Sequence, residues 1–98
     1  MKPVVIKLHD PECQQCIEMH SVEKAALEEY GTEFMSMDLE FAAMHPTIFD
    51  YVSAHVVDEE GEMEMPCYLF VDENDTITGH FCGKGTHHDI SGEPVELD

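Results

Sequence analysis

Apolar residues fall in short runs separated by acidic stretches, and their period changes from one run to the next. Val4-Val5-Ile6-Lys7-Leu8 is a β-branched run of the right length for a buried strand. It stops at His9-Asp10-Pro11-Glu12, where proline cannot continue a ladder. Over residues 13–30 the pattern turns helical. Met19, Val22, Ala26 and Tyr30 recur at helical steps, and Glu18, Glu23, Lys24, Glu28 and Glu29 between them form a solvated face. Gly31 stands where a helix C-cap is expected. Residues 33–39 alternate weakly and predict a second strand, parallel to the first because a helix joins them. Residues 40–56 are helical again, with Phe41, Met44, Ile48, Phe49, Val52 and Val56 as expected core positions. Pro46 within that stretch either kinks the helix or opens a new one at its first position.

After a polar, acidic loop at 58–64, Met65-Pro66 introduces Cys67-Tyr68-Leu69-Phe70-Val71, the most apolar strand in the chain. Asp72-Glu73-Asn74-Asp75 is a turn, residues 76–82 read as the returning strand of a hairpin, and Gly83-Lys84-Gly85 ends it. Residues 86–98 carry little periodicity and predict one short helix plus a loosely ordered tail. The order β-α-β-α-β-β describes one domain over residues 1–98, an α/β fold with a mixed sheet flanked by helices.

Charge narrows the function. Against 22 Asp and Glu there are four lysines and no arginine, a formal net charge of -18. So few cations disfavour nucleic-acid phosphates and anionic membranes as partners. No apolar run approaches the ~18 residues of a membrane span, and the amino terminus lacks the features of a signal peptide. A hydrophobic share of 43% still supplies one core. The expectation is a soluble, cytoplasmic monomer. An acidic protein that mimics DNA is a further reading of the charge, but it has no use for the cysteines.

Cys13 and Cys16 form a C-x-x-C pair, while Cys67 and Cys82 stand apart. In a reducing compartment this spacing points to redox chemistry or a metal. A structural zinc site wants a second close pair of ligands, and His80, Cys82, His87 and His88 supply only an irregular set. The rival to redox chemistry is a non-catalytic module holding a metal through Cys13, Cys16 and some of Cys67, Cys82 or His80. The redox reading, which needs no metal, is preferred.

A strand, Cys13-Gln14-Gln15-Cys16 opening a helix, Met65-Pro66 before an apolar strand, a hairpin and then Gly83 together resemble the thioredoxin-fold family, specifically its small thioredoxin and glutaredoxin members. The resemblance covers roughly residues 3–85 and implies the short form of the fold, with a mixed four-stranded sheet. It implies a cis Met65-Pro66 bond beside the dithiol, leaving the Met65 backbone free to pair with an extended substrate segment. It also implies Cys13 as nucleophile and Cys16 as resolving thiol. The Cys13–Cys16 disulfide itself would be the redox group, with no bound cofactor. Expected substrates are protein disulfides, such as that of a ribonucleotide reductase, and the expected electron source is a reductase of the thioredoxin reductase type. The alternative is a glutathione-dependent glutaredoxin, with Lys84 the candidate anchor for a glutathione carboxylate. Glu12 stands where the family often has Trp, Gln14-Gln15 where it has Gly-Pro, and Lys7 where a buried acid is usual.

The nucleophile in disulfide exchange is the thiolate, and a free cysteine, with pKa about 8.5, is mostly protonated at neutral pH. A helix N-terminus favours the anion at Cys13, whereas Asp10, Glu12 and the net charge oppose it. The expected dithiol is therefore reducing. Lys7 and His9, with Glu12, are the candidate modulators, although the plainer readings are a snorkelling strand lysine and a turn histidine. Cys67 and Cys82 fall near each other if the hairpin turns at Asn74-Asp75. They read first as buried structural cysteines and second as an additional thiol pair.

Overall fold

A computed structural model describes residues 4–10 and 12–91. The elements run β1 (Val4–His9), α1 (Gln14–Glu18), α2 (His20–Tyr30), β2 (Glu33–Asp38), α3 (Leu39–Ala43), α4 (Pro46–His55), β3 (Cys67–Val71) and β4 (Ile77–Cys82). One four-stranded sheet has the order β2-β1-β3-β4. β1 and β2 are parallel, and β3 runs antiparallel to both β1 and β4.

Alternation along the two central strands divides the core. Val5 and Tyr68 face α1 and α2, packing with Met19, Ala26 and Ile90. Leu8, Cys67 and Leu69 face α3 and α4, packing with Ala42 and Ile48. The sheet is thus covered on both sides, which is why β1 and β3 read as apolar runs.

The expected helix over residues 13–30 is two helices. Met19 ends α1 and begins α2 at ψ −5°, a turn that drops its side chain into the core at 2% exposure. Gly31 closes α2 at φ +71°, as the C-cap glycine predicts. Pro46 opens α4 at its first turn, after His45 in an extended conformation. That break resets the helical phase. Ala42 and Ile48 therefore meet the sheet, while Phe41, Met44 and Phe49, expected in the core, are exposed. Val52 and Val56 are half-buried against the same cluster.

The β3–β4 hairpin turns at Asp72–Asp75, where the Asp72 carboxylate accepts from the Asn74 and Thr76 amides and Asp75 takes φ +61°. β4 begins one residue later than expected. Around Thr86–Ser91 the chain makes turns and no helix, and the rest of the expected tail lies outside the described residues. No helix among the described residues is long and apolar enough to cross a membrane.

Candidate active site

Cys13 is the N-cap of α1, held in an extended conformation with its amide donating to the Asp10 carbonyl at 3.0 Å. Its Sγ accepts from the Cys16 amide at 3.2 Å. A cysteine here does what Ser or Asp does at other helix starts, aiming a polarisable acceptor at an otherwise unpaired N–H. Cys13 is half-buried and Cys16, one turn on, is 4% exposed. Both are free thiols. A cleft of about 220 Å³ lies over them, lined by Lys7, His9, Asp10, Ile17, His20 and Ser36. Glu12 is exposed, its amide tied to the Asp10 carboxylate.

Gln15, between the cysteines, donates through Nε2 to the Met65 carbonyl at 2.7 Å. The Met65-Pro66 bond is cis. The Pro66 carbonyl accepts from the Gly83 amide at 2.9 Å. Gly83 sits at φ +87°, and a side chain there would run into the Glu64 carboxylate. The C-x-x-C turn, the proline loop and the end of the hairpin are thereby one connected unit.

Beneath this unit Lys7 corrects the expectation of a snorkelling lysine. Only 2% exposed, it donates from Nζ to the Cys16 carbonyl at 2.9 Å and pairs with Glu23 Oε2 at 2.5 Å. Glu23 Oε2 also accepts from the Tyr68 hydroxyl at 2.9 Å, and Tyr68 faces Lys7 across the β1–β3 ladder. Glu23 therefore leaves the solvated face assigned to it, its side chain being 14% exposed. A lysine on a covered strand needs an anion within reach, and α2 crosses that face. Among the described residues no buried side-chain nitrogen or oxygen lacks a partner.

Burial pushes the Cys16 thiol up to about 11, helped by its hydrogen bond with Cys13; the backbone at Asp10 and the Lys7 charge oppose the rise. Burial also pushes the Tyr68 phenol up, and its hydrogen bond to Glu23 adds to that. Cys16 is thus a protonated thiol at rest, with a buried cation near enough to favour its anion when the proton leaves.

Two solved structures resemble this fold at low sequence identity. Thioredoxin-2 of a malaria parasite, described as a component of its protein secretion machinery, is 15% identical over 92% of this chain and 78% of its own, with TM-score 0.62. The germline-specific thioredoxin Deadhead of Drosophila melanogaster is 20% identical over 84% of this chain and 69% of its own, with TM-score 0.56. The chain has the thioredoxin fold. A thio-disulfide isomerase from Thermus thermophilus has the same fold at TM-score 0.59, with 16% identity over 91% of this chain and 74% of its own. No family model and no curated sequence matches the chain.

Lys7 and His9 line the cleft with Cys13 and Cys16, and Gln15 ties the loop of Met65 and Pro66 to the same turn. Cys67 and Cys82 pair across β3 and β4 on the sheet's other face, away from Lys7. Lys84, the candidate glutathione anchor, pairs with Glu18 at 2.7 Å on the surface. The sequence reading missed Gln15, Glu23, Tyr68, His20 and Ser36. For Glu23 a signal existed, namely a strand lysine requiring a buried counter-charge from the first helix. Gln15 and Ser36 carried none.

Proposed function

We propose that the protein is a thiol–disulfide oxidoreductase that reduces protein disulfides through Cys13 and Cys16. The observation that carries this reading is the asymmetry of the pair. Cys13 is reachable at a helix start with a donor on its sulfur, and Cys16 is buried one turn behind it. The Cys13 thiolate attacks one sulfur of the substrate disulfide. A mixed disulfide forms as the S–S bond breaks, and the substrate's first thiolate leaves. Cys16 then gives up its proton to that thiolate and attacks the Cys13 sulfur. Its new S–S bond expels the substrate's second thiolate and leaves Cys13–Cys16 oxidised. Lys7 helps this second step, because its charge offsets part of the burial that holds Cys16 protonated. The Met65 carbonyl already accepts from Gln15, so an extended substrate segment would pair with the Met65 amide.

Protein disulfides such as that of a ribonucleotide reductase, and a reductase of the thioredoxin reductase type, are the partners this reading calls for. Glutathione is the weaker donor, because Lys84 is paired with Glu18 and the chain's net charge of -18 repels its carboxylates. A dithiol that works by reduction fits the cytoplasm, where thiols are kept reduced. Against the metal-module reading, the two cysteine pairs lie on opposite faces of the sheet. Among the described residues, the three side chains with ligand atoms mutually within 4.8 Å are Glu29, His87 and His88, without a cysteine. An insulin-disulfide reduction assay decides: the natural chain should be active and Cys13→Ser inactive. Reduction by a thioredoxin reductase should outpace reduction by glutathione. Activity that survives Cys13→Ser would overturn the assignment.

A further inference from the structure

The second cysteine pair repeats the first one's asymmetry in a different setting. Cys67 and Cys82 stand directly opposite each other in the β3–β4 ladder. The Gly83 amide donates to the Pro66 carbonyl just outside them, so the ladder's hydrogen bonds flank this pair instead of bridging it. At such sites facing Cα atoms approach to about 4.5 Å, within the span a disulfide can bridge. The two Sγ atoms are 3.0 Å apart, and both thiols are free. Cys67 is fully buried beside Leu8, Leu69 and Met65. Cys82 is half-buried and lines a cavity of about 600 Å³ with Asp58, Glu62, Met63, Glu64 and His80.

We propose that Cys67 and Cys82 are a second redox-active dithiol, with Cys82 the attacking thiol and a hydroperoxide entering from this cavity as its oxidant. The electrostatics agree. The hydrogen bond between the two thiols lowers Cys82 against the effects of burial and of Glu64, and the same bond together with burial pushes Cys67 up. Cys82 is also the member of the pair that lines the cavity, so an oxidant there meets it first. The cavity's three carboxylates repel anionic disulfides, and the partial burial of Cys82 keeps bulky ones off. A small neutral peroxide is not hindered in either way.

The Cys82 thiolate attacks one peroxide oxygen. An S–O bond forms, the O–O bond breaks, and the departing hydroxide or alkoxide takes up a proton as water or alcohol. Cys82 is then a sulfenic acid. The Cys67 sulfur attacks it, losing its own proton as the S–S bond forms and the S–O bond breaks, and a second water leaves. Two electrons pass from the sulfur pair to the peroxide.

The test uses the full chain carrying Cys13→Ser and Cys16→Ser, so that only this pair remains. With hydrogen peroxide the free-thiol titre should fall from two to none for one peroxide consumed. A digest should then yield the linked 67–82 peptides, and dithiothreitol should restore both thiols. Adding Cys67→Ser should halt the reaction at a dimedone-trapped sulfenic acid on Cys82. Glutathione disulfide at equal concentration should react at least about tenfold more slowly, as expected for a like-charged rim. Differential alkylation of the natural chain after peroxide should map the same link with no substitution at all. Thiols that stay free, first modification at Cys67, or an equal rate in the urea-unfolded chain would overturn the proposal. So would glutathione disulfide matching peroxide.

Discussion

Replacing Glu23 by Gln removes the partner of a cation that cannot reach water. Lys7 is 2% exposed and also donates to the Cys16 carbonyl, so the substitution leaves a buried ammonium without its carboxylate. Breaking a buried pair from one side costs 3–5 kcal/mol, and the 14% exposure of Glu23 puts this case near the lower end, about 3 kcal/mol. The converse change is milder. Lys7→Met leaves a carboxylate that keeps the Tyr68 hydroxyl and some access to solvent, a loss of about 1–2 kcal/mol. Lys7→Met with Glu23→Gln removes both charges and should cost less than Glu23→Gln alone, because no uncompensated ion remains. Net charge pulls the other way: losing one of 22 carboxylates relieves self-repulsion. Urea unfolding of the reduced protein in about 1 M KCl, where the screening length is about 3 Å, suppresses that second effect. With a slope of about 1 kcal/mol/M, Glu23→Gln should move the midpoint down by about 3 M, or leave the chain unfolded if its reserve is smaller. A midpoint within about 1 M of the natural chain would mean that the pair behaves as a surface pair, and the reasoning would fail.

Gln15→Ala deletes the tie between the cysteine turn and the proline loop; it should cost about 1 kcal/mol in urea unfolding and lower kcat/KM for insulin reduction about fivefold. Equal kcat/KM would show that the loop holds its place without it. Cys16 titrates near its ordinary value in the unfolded chain and at about 11 when folded, so the unfolded state loses its proton first. Stability of the reduced protein should therefore fall as pH rises from about 9 to about 11, and Cys16→Ser should make that fall shallower, leaving the part due to Cys67 and Tyr68. A rise in stability over the same window would contradict the burial assigned to Cys16. Finally, a chain at -18 should gain thermal stability as KCl screens its own repulsion, and a Tm that does not move with salt would refute that.

Period and punctuation made the sheet legible. The β-branched and apolar runs became β1 and β3, Gly31 became a left-handed C-cap, and Cys67 and Cys82 fell opposite each other once the hairpin turned at Asp72–Asp75. Helix phase was legible only between breaks. A single phase carried through Pro46 placed Phe41, Met44 and Phe49 in the core, and the extended His45 undid it. Met19 escaped notice as a break because nothing but a backbone rotation marks it. The candidate cysteine pair was legible because C-x-x-C is local. Its support was not: the Lys7–Glu23–Tyr68 chain joins three elements, and each member looks ordinary in its own segment.

That support also changes what the acidity of the chain implies at the site. Twenty-two carboxylates set a field that opposes any thiolate, and a protein meant only to stay soluble could leave all its lysines on the surface. Lys7 instead lies under the second cysteine, bonded to the Cys16 carbonyl and neutralised by a carboxylate from α2. A paired cation adds little to the long-range field but still acts over the few ångströms to Cys16, because the low dielectric beneath the sheet strengthens near interactions most. Exposed lysines in its place would be screened by salt, whereas a buried one is screened much less. The surface charge and the buried lysine therefore act over different ranges. On the proposed function, the first would govern which molecules approach Cys13, and the second would ease the ionisation of Cys16 in the mixed disulfide.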